Sequence, residues 1–299
     1  MTHLLEGFQQ TFDVVHADNQ ALIEQSFALR YQVYCLEKDF EASSCFDEDK
    51  ESDQYDMRSV HSLVYHRRLA RYIGSVRLVL ADRQAPDAPF PIENLCRNLH
   101  RARLAVAHRR ASFQVAEISR FAVSKLRRAG AGNETDLTGI SARPSSLASA
   151  AKPENEILPH ATLGLFTAIV RMSAANEVSH WYALMEPTLS RLLSRFGIYF
   201  QPVGPLLDHR GRRQPVMGDI DRVLARIFVE RPDVWELITD AGRTWPLNES
   251  LAAQMCKPAA DATLAASRPR DYSPYRLLEG VPAEGFERVF AKRIPVGAA

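Results

Sequence analysis

A chain of 299 residues, 46% hydrophobic and 24% charged, has material for a buried core and the composition of an ordinary globular protein. A formal net charge of +1 supplies no global field toward nucleic acid or a membrane surface. Cys35, Cys45, Cys96 and Cys256 lie far apart with no C-x-x-C pair, which argues against a disulfide frame or a zinc knot and for reduced thiols.

The start, MTHLLEGFQQTF, has no basic region followed by an apolar core. The most apolar stretch, residues 161–170, is too short to span a bilayer. The expected location is the cytoplasm, with no transmembrane segment and no nucleic-acid partner. A helix is expected over residues 18–34. Asp18 or Asn19 can cap it, and Leu22, Ile23, Ser26, Phe27, Arg30, Tyr31 and Tyr34 share one stripe. Arg30 is out of place on that face, unless it snorkels from the margin of the stripe.

Residues 37–56 turn acidic and irregular and end Glu51-Ser-Asp53-Gln-Tyr55-Asp56; a solvated loop is the plain alternative. Residues 60–66 and 73–80 are β-rich runs around a basic turn and predict an antiparallel pair, the second with Arg77 at its centre. After a loop over 81–91, residues 94–110 are helical at least in part and carry Arg97, Arg101, Arg103, Arg109 and Arg110.

Residues 113–123, Phe-Gln-Val-Ala-Glu-Ile-Ser-Arg-Phe-Ala-Val, predict a buried central strand containing Glu117, Ser119 and Arg120. Charged residues are rarely buried unless paired, so this strand is either paired or functional. Alternation puts Glu117 and Ser119 on one face and Arg120 on the other. A β-bulge near residues 118–119 would bring Glu117 and Arg120 to one side.

Residues 133–157 lack hydrophobic periodicity and are expected to form a flexible insertion. A helix with a stripe at Leu163, Phe166, Ile169 and Val170 resumes at Leu158. A strand over 179–185, a turn at Glu186-Pro187, a helix over 188–196 stopped by Gly197, and a strand over 198–203 follow. Residues 207–214, Leu-Asp-His-Arg-Gly-Arg-Arg-Gln, read as a basic turn. Short helices are expected over 219–228, 233–240 and 284–291. Nine histidines include no H-E-x-x-H, no G-x-S-x-G elbow is present, and Arg127-x-x-Gly130-x-Gly132 lacks the Lys-Ser/Thr of a P-loop. No metal is expected.

Four features in this order resemble the acyl-homoserine-lactone synthases and N-acyl amino acid synthases, branches of the GNAT acyltransferase superfamily. Arg30 and Tyr34, followed by Phe40, match the helical Arg-x-x-x-aromatic. Glu51, Asp53, Tyr55 and Asp56 match Glu-x-Asp-x-Tyr-Asp. Gly74, Arg77 and Leu78 match Gly-x-x-Arg-Leu, and Glu117, Ser119 and Arg120 match Glu-x-Ser-Arg. The resemblance runs from about Ala21 to Pro215 and includes Met185-Glu186-Pro187. It is nearest to the acyltransferases associated with exosortase/PEP-CTERM systems. Tyr34 and Phe40 stand where that family usually has Phe and Trp. Gly130 and Gly132 are separated from the next helix by the insertion, which favours a carrier-protein phosphopantetheine over coenzyme A.

The resemblance implies an α/β (α+β) fold: a GNAT-like mixed, mainly antiparallel sheet flanked by helices. A domain over 1–215 with a disordered insertion would precede a helical C-terminal extension over 216–299. The implied activity is transfer of a fatty acyl group from an acyl carrier protein or acyl-CoA thioester to the amine of an amino acid or similar small molecule. No permanently bound cofactor is implied. Glu117 would be the base, with Glu51 the alternate. Arg30, Tyr34, Phe40, Asp53, Asp56, Arg77, Ser119 and Arg120 would shape the amine pocket and hold a carboxylate. Backbone N–H groups of Phe121, Ala122 and Val123 would serve the oxyanion. Arg97, Arg101, Arg109 and Arg110 would dock an acidic carrier protein. The other reading is a non-catalytic GNAT-like module that binds or senses acyl lipids.

Overall fold

The computed structural model describes residues 3–107, 113–125 and 154–256. The chain opens with helix α1 (His3–Thr11) and strand β1 (Phe12–His16), neither marked by a clear sequence period. Helix α2 (Gln20–Tyr31) follows; Asn19 caps it by accepting the Leu22 N–H at 3.1 Å. It runs on into a π-helical turn (Gln32–Glu37), a form that recurs at functional sites. Strands β2 (Ser59–His66) and β3 (Arg71–Val79) form the expected antiparallel pair. The expected basic helix is two pieces, α3 (Pro91–Leu95) and α4 (Arg97–Ala107), with Cys96 between them.

The central strand is β4 (Val115–Val123). Helix α5 (Glu154–Ala175) starts before Pro159, so residues 154–157 of the expected insertion are helical. A proline in the first turns of a helix looks in sequence like its beginning. Strand β5 (His180–Met185) and helix α6 (Pro187–Ser194) match expectation, and Gly197 (φ +74°) turns the chain out of α6. The strand expected over 198–203 shrinks to β6 (Gln201–Pro202). The expected basic turn is instead a hairpin of β7 (Leu207–Asp208) and β8 (Arg212–Asp219). β8 was hidden by Pro215 and Gly218, residues that argue against a strand interior. Helices α7 (Ile220–Glu230), α8 (Pro232–Thr239) and α9 (Glu249–Cys256) complete the described chain, α9 unanticipated. The helix expected over 284–291 lies outside the described residues.

Among the described residues the strands form one eight-stranded mixed sheet, ordered β1-β2-β3-β4-β5-β8-β6, with β7 on β8. Its pairs are antiparallel except β4–β5, which is parallel. Helices α1, α5, α7 and α8 cover one face, where Leu165, Phe166, Ile169, Trp181, Leu224 and Ile238 join Val76, Leu78, Ala116 and Ile118 in the main core. Gly164 permits this closeness, since a Cβ there would meet Val64 at 3.0 Å and Phe8 at 3.1 Å. The boundary expected after residue 215 falls inside β8, and α7 and α8 share the sheet's core. The other face carries Val79, Phe113, Val115, Tyr182 and Met217 under Phe90, Ile92 and Leu99. Among the described residues no helix is long and apolar enough to cross a membrane.

Candidate active site

The site forms where two neighbouring strands part. β4 and β5 are in register from Val115↔His180 to Ile118↔Ala183 and no further, although β4 continues to Val123 and β5 to Met185. Opposite β3, Ser119 pairs with Arg77 and Ala122 with Ser75, so Arg120 and Phe121 together oppose Val76. This is a bulge, centred at Arg120–Phe121 rather than at the expected 118–119. Arg120 takes φ +51°, a left-handed conformation that a non-glycine residue adopts only when its surroundings hold it. The bulge turns Arg120 toward the face of Arg77 and Ser119, while Phe121 packs on Phe166 on the other face.

What holds Arg120 is a closed set of charges. Arg30, fully buried on α2, donates through Nε to Glu51 and through both Nη atoms to Asp56 at 2.7 and 3.1 Å. Arg77, also buried, donates to Asp53 (2.6 and 3.1 Å), Asp56 (2.7 Å) and the Ser119 hydroxyl (2.9 Å). Arg120 donates to Glu51 (2.8 to 3.1 Å) and Asp53 (3.0 Å) through Nε and Nη2. Three guanidiniums thus share three carboxylates, the pairing that burial of so many charges demands. The acidic segment is built for this role. Asp53 caps a short 3-10 helix (Gln54–Arg58) by accepting the Tyr55 N–H at 2.8 Å, and Asp56 accepts the Asp53 N–H at 2.7 Å.

Burial pushes the Glu51 carboxyl up, but bonds from Arg120 and Arg30 outweigh it and hold it at about 2. Asp56 is likewise held well below the carboxylate range by Arg30 and Arg77, against its burial. His61, behind them, is lowered to about 4 by burial and by Arg30, and stays neutral. Glu117 is different. Among the described residues it accepts only the Ile92 N–H, at 2.8 Å, and burial pushes it up to about 8, so it keeps its proton at neutral pH. The bulge does put Glu117 and Arg120 on one face, but they do not pair.

The parted strands open a cavity of about 610 Å³, within the usual range for small-molecule sites. Of the expected residues, Tyr34, Phe40, Asp53, Arg77, Glu117, Ser119, Arg120, Phe121, Ala122 and Val123 line it. Arg30, Glu51 and Asp56 do not reach its wall; they brace the residues that do. Tyr34 stacks on Phe40 (6.4 Å between centroids) and lies under the Arg120 guanidinium (5.7 Å). One flank is apolar: Phe166, Ala183, Met185, Leu189, Leu192 and Leu193. The rim is basic, with Lys38, Arg191, Arg195, Arg210 and Arg213. Arg213 pairs with Glu186 at 2.9 Å, and Arg210 with Glu41. Arg97 and Arg101 are exposed on α4 and do not line the cavity; Arg109 and Arg110 lie outside the described residues.

Residues 29–135 match the family model described as an acetyltransferase (GNAT) domain. The match runs from α2 through β4 and takes in all three guanidiniums and all three carboxylates of the network. The fold has the expected character of that domain, a mixed and mainly antiparallel sheet flanked by helices. No curated protein matches the chain. Among solved structures it is similar to the acyl-homoserine-lactone synthase LasI at 18% identity and a TM-score of 0.44, over 69% of this chain and 87% of that one. It is similar to FeeM, an N-acyl amino acid synthase from uncultured soil microbes, at 11% identity and a TM-score of 0.43, over 73% and 95% of the two chains. For BjaI, a CoA-dependent acyl-homoserine-lactone synthase, the figures are 19%, 0.44, 79% and 90%.

Sequence reasoning missed the other half of the cavity. Lys38, Arg191, Arg195, His209, Arg210 and Arg213 reach it from the π-turn, α6 and the β7–β8 hairpin. The basic run at 207–214 was the one visible signal.

Proposed function

We propose that the chain is an N-acyltransferase that moves a fatty acyl group from a thioester to the amine of an amino acid. The observation that carries this is the opening between β4 and β5. It places a strand edge that no described strand pairs, an apolar flank and a guanidinium in one cavity. A thioester carbonyl lying along residues 119–123 would meet backbone N–H groups of the Phe121–Val123 segment, which can stabilise the oxyanion. The acyl chain would lie against Phe166, Leu189 and Leu192. Each nitrogen of Arg77 makes at least one hydrogen bond, but Arg120 Nη1 makes no hydrogen bond or ion pair among the described residues. It is the edge of the charge network left to bind the acceptor's carboxylate.

Glu51 is reassigned. A carboxylate held at about 2, locked by two guanidiniums and off the cavity wall, is a scaffold and not a base. Glu117, protonated at neutral pH, suits delivery of a proton to the departing sulfur; as a base it would serve only near and above pH 8. The donor would be the acyl-phosphopantetheine of an acyl carrier protein or of coenzyme A, with its phosphate drawn to the basic rim. The test offers the protein acyl carrier protein and CoA thioesters of graded chain length with mixed amino acids, and seeks N-acyl products by mass spectrometry. N-acyl amino acids are expected. Tight acyl-thioester binding without product would refute the enzyme and support an acyl-lipid sensing module.

A further inference from the structure

The β7–β8 hairpin reaches the cavity with an imidazole. His209 opens the turn, donating its backbone N–H to the Gly211 carbonyl at 2.9 Å, and is one of the residues that line the cavity. Gly211 takes φ +90°, which lets the turn close this tightly. Among the described residues the ring makes no hydrogen bond or ion pair, so none of them occupies its nitrogens. The carboxylates nearby are committed: Asp53 to Arg77 and Arg120, Glu41 to Arg210, and Glu186 to Arg213.

The charges that act on the ring come from every element around it. They are Arg210 and Arg213 on its own hairpin, Glu41 after the π-turn, and Arg120 at the bulge. Lys38 on the π-turn side and Glu186, Arg191 and Arg195 around α6 complete the ionisable rim. Partial burial and the guanidiniums outweigh Glu41 and push the imidazole below its usual range. It is a neutral acceptor at pH 7, while Glu117 across the same cavity keeps its proton. Two groups shifted in opposite directions in one cavity are the pattern of an acid–base pair.

The geometry points to His209 as the catalytic base that takes the proton from the acceptor's ammonium. This rests on the acyltransferase proposal. With the acceptor carboxylate on Arg120, whose charge His209 senses, the ammonium would lie on the His209 side of the cavity. The ammonium gives one proton to an imidazole nitrogen, and the freed lone pair forms the C–N bond at the thioester carbon. The tetrahedral oxyanion collapses, the C–S bond breaks, and the second amine proton ends on the sulfur, through Glu117. The imidazolium then releases its proton to solvent. Ammonium and thioester have become amide, thiol and one proton.

The experiment measures turnover of the full chain with an acyl thioester and its preferred amino acid across pH, for wild type, His209→Gln and His209→Asn, each checked by thermal melting. The expected result is a loss of about tenfold or more at pH 7 that narrows to about threefold or less near pH 10, where the free amine needs no base. Added imidazole should restore part of the lost rate. A loss below threefold at pH 7, or one that stays constant with pH, overturns the assignment. If the wild type makes no N-acyl product with any thioester, the acyltransferase proposal itself fails, and His209 falls with it. Product from the wild type leaves the variants to decide His209 alone.

Discussion

Replacing Glu51 with Gln tests the physics of the whole site. The folded carboxyl sits at about 2 against an ordinary 4.5, and about 1.4 kcal/mol per pH decade makes its ionised form worth about 3 kcal/mol at pH 7. Gln keeps the size but surrenders the charge that Arg30 and Arg120 share. Because the folded value lies below the unfolded one, this stability is fully present above about pH 4.5 and is lost as the pH falls through about 2. At pH 3 the same relation leaves roughly 1.4 kcal/mol. Urea unfolding of wild type and Glu51→Gln at pH 7 and pH 3 should give a difference of about 3 kcal/mol that shrinks to about half or less. A difference under about 1 kcal/mol at pH 7, or one equal at both pH values, would refute the claim that a buried, shared carboxylate holds the guanidiniums in place.

Glu117→Gln should fold, since the amide oxygen can still accept the Ile92 N–H, and should lower turnover by about tenfold or more at neutral pH. The raised carboxyl of the wild type costs it stability as pH rises from 4.5 through about 8. Above that range the variant should be the more stable by on the order of a few kcal/mol in urea unfolding. At residue 120, Ala and Gly both forfeit the ion pairs, but φ +51° favours glycine. Arg120→Gly should therefore unfold about 1 kcal/mol later than Arg120→Ala, the reverse of the order in a regular strand. Leu192→Trp fills the apolar flank and should cut kcat/KM about tenfold for long-chain donors while sparing short ones, read from a chain-length panel.

The sequence exposed the embedded charges because a strand or helix stripe has a period, and Arg30, Arg77 and the pair Glu117/Arg120 break it. It also marked the bulge, since an acid and a base three apart in one strand cannot otherwise share a face. The bulge lies two residues later than alternation suggested, because the spatial partner of Arg120 is Glu51 and not Glu117. The pairing scheme was not legible: each carboxylate could have met any of three guanidiniums, and only the packed fold chooses.

Local pattern therefore determined that these charges must be satisfied inside the protein, since no single strand or helix can shelter a bare guanidinium. The tertiary structure decided which groups face the cavity and which only brace it. Glu51 and Glu117 are the same residue type, yet two guanidiniums hold one at about 2 and burial lifts the other to about 8. It also brought in the hairpin of His209 across β8, a strand that Pro215 and Gly218 conceal in the sequence. Contacts between segments this distant along the chain leave no local period to read.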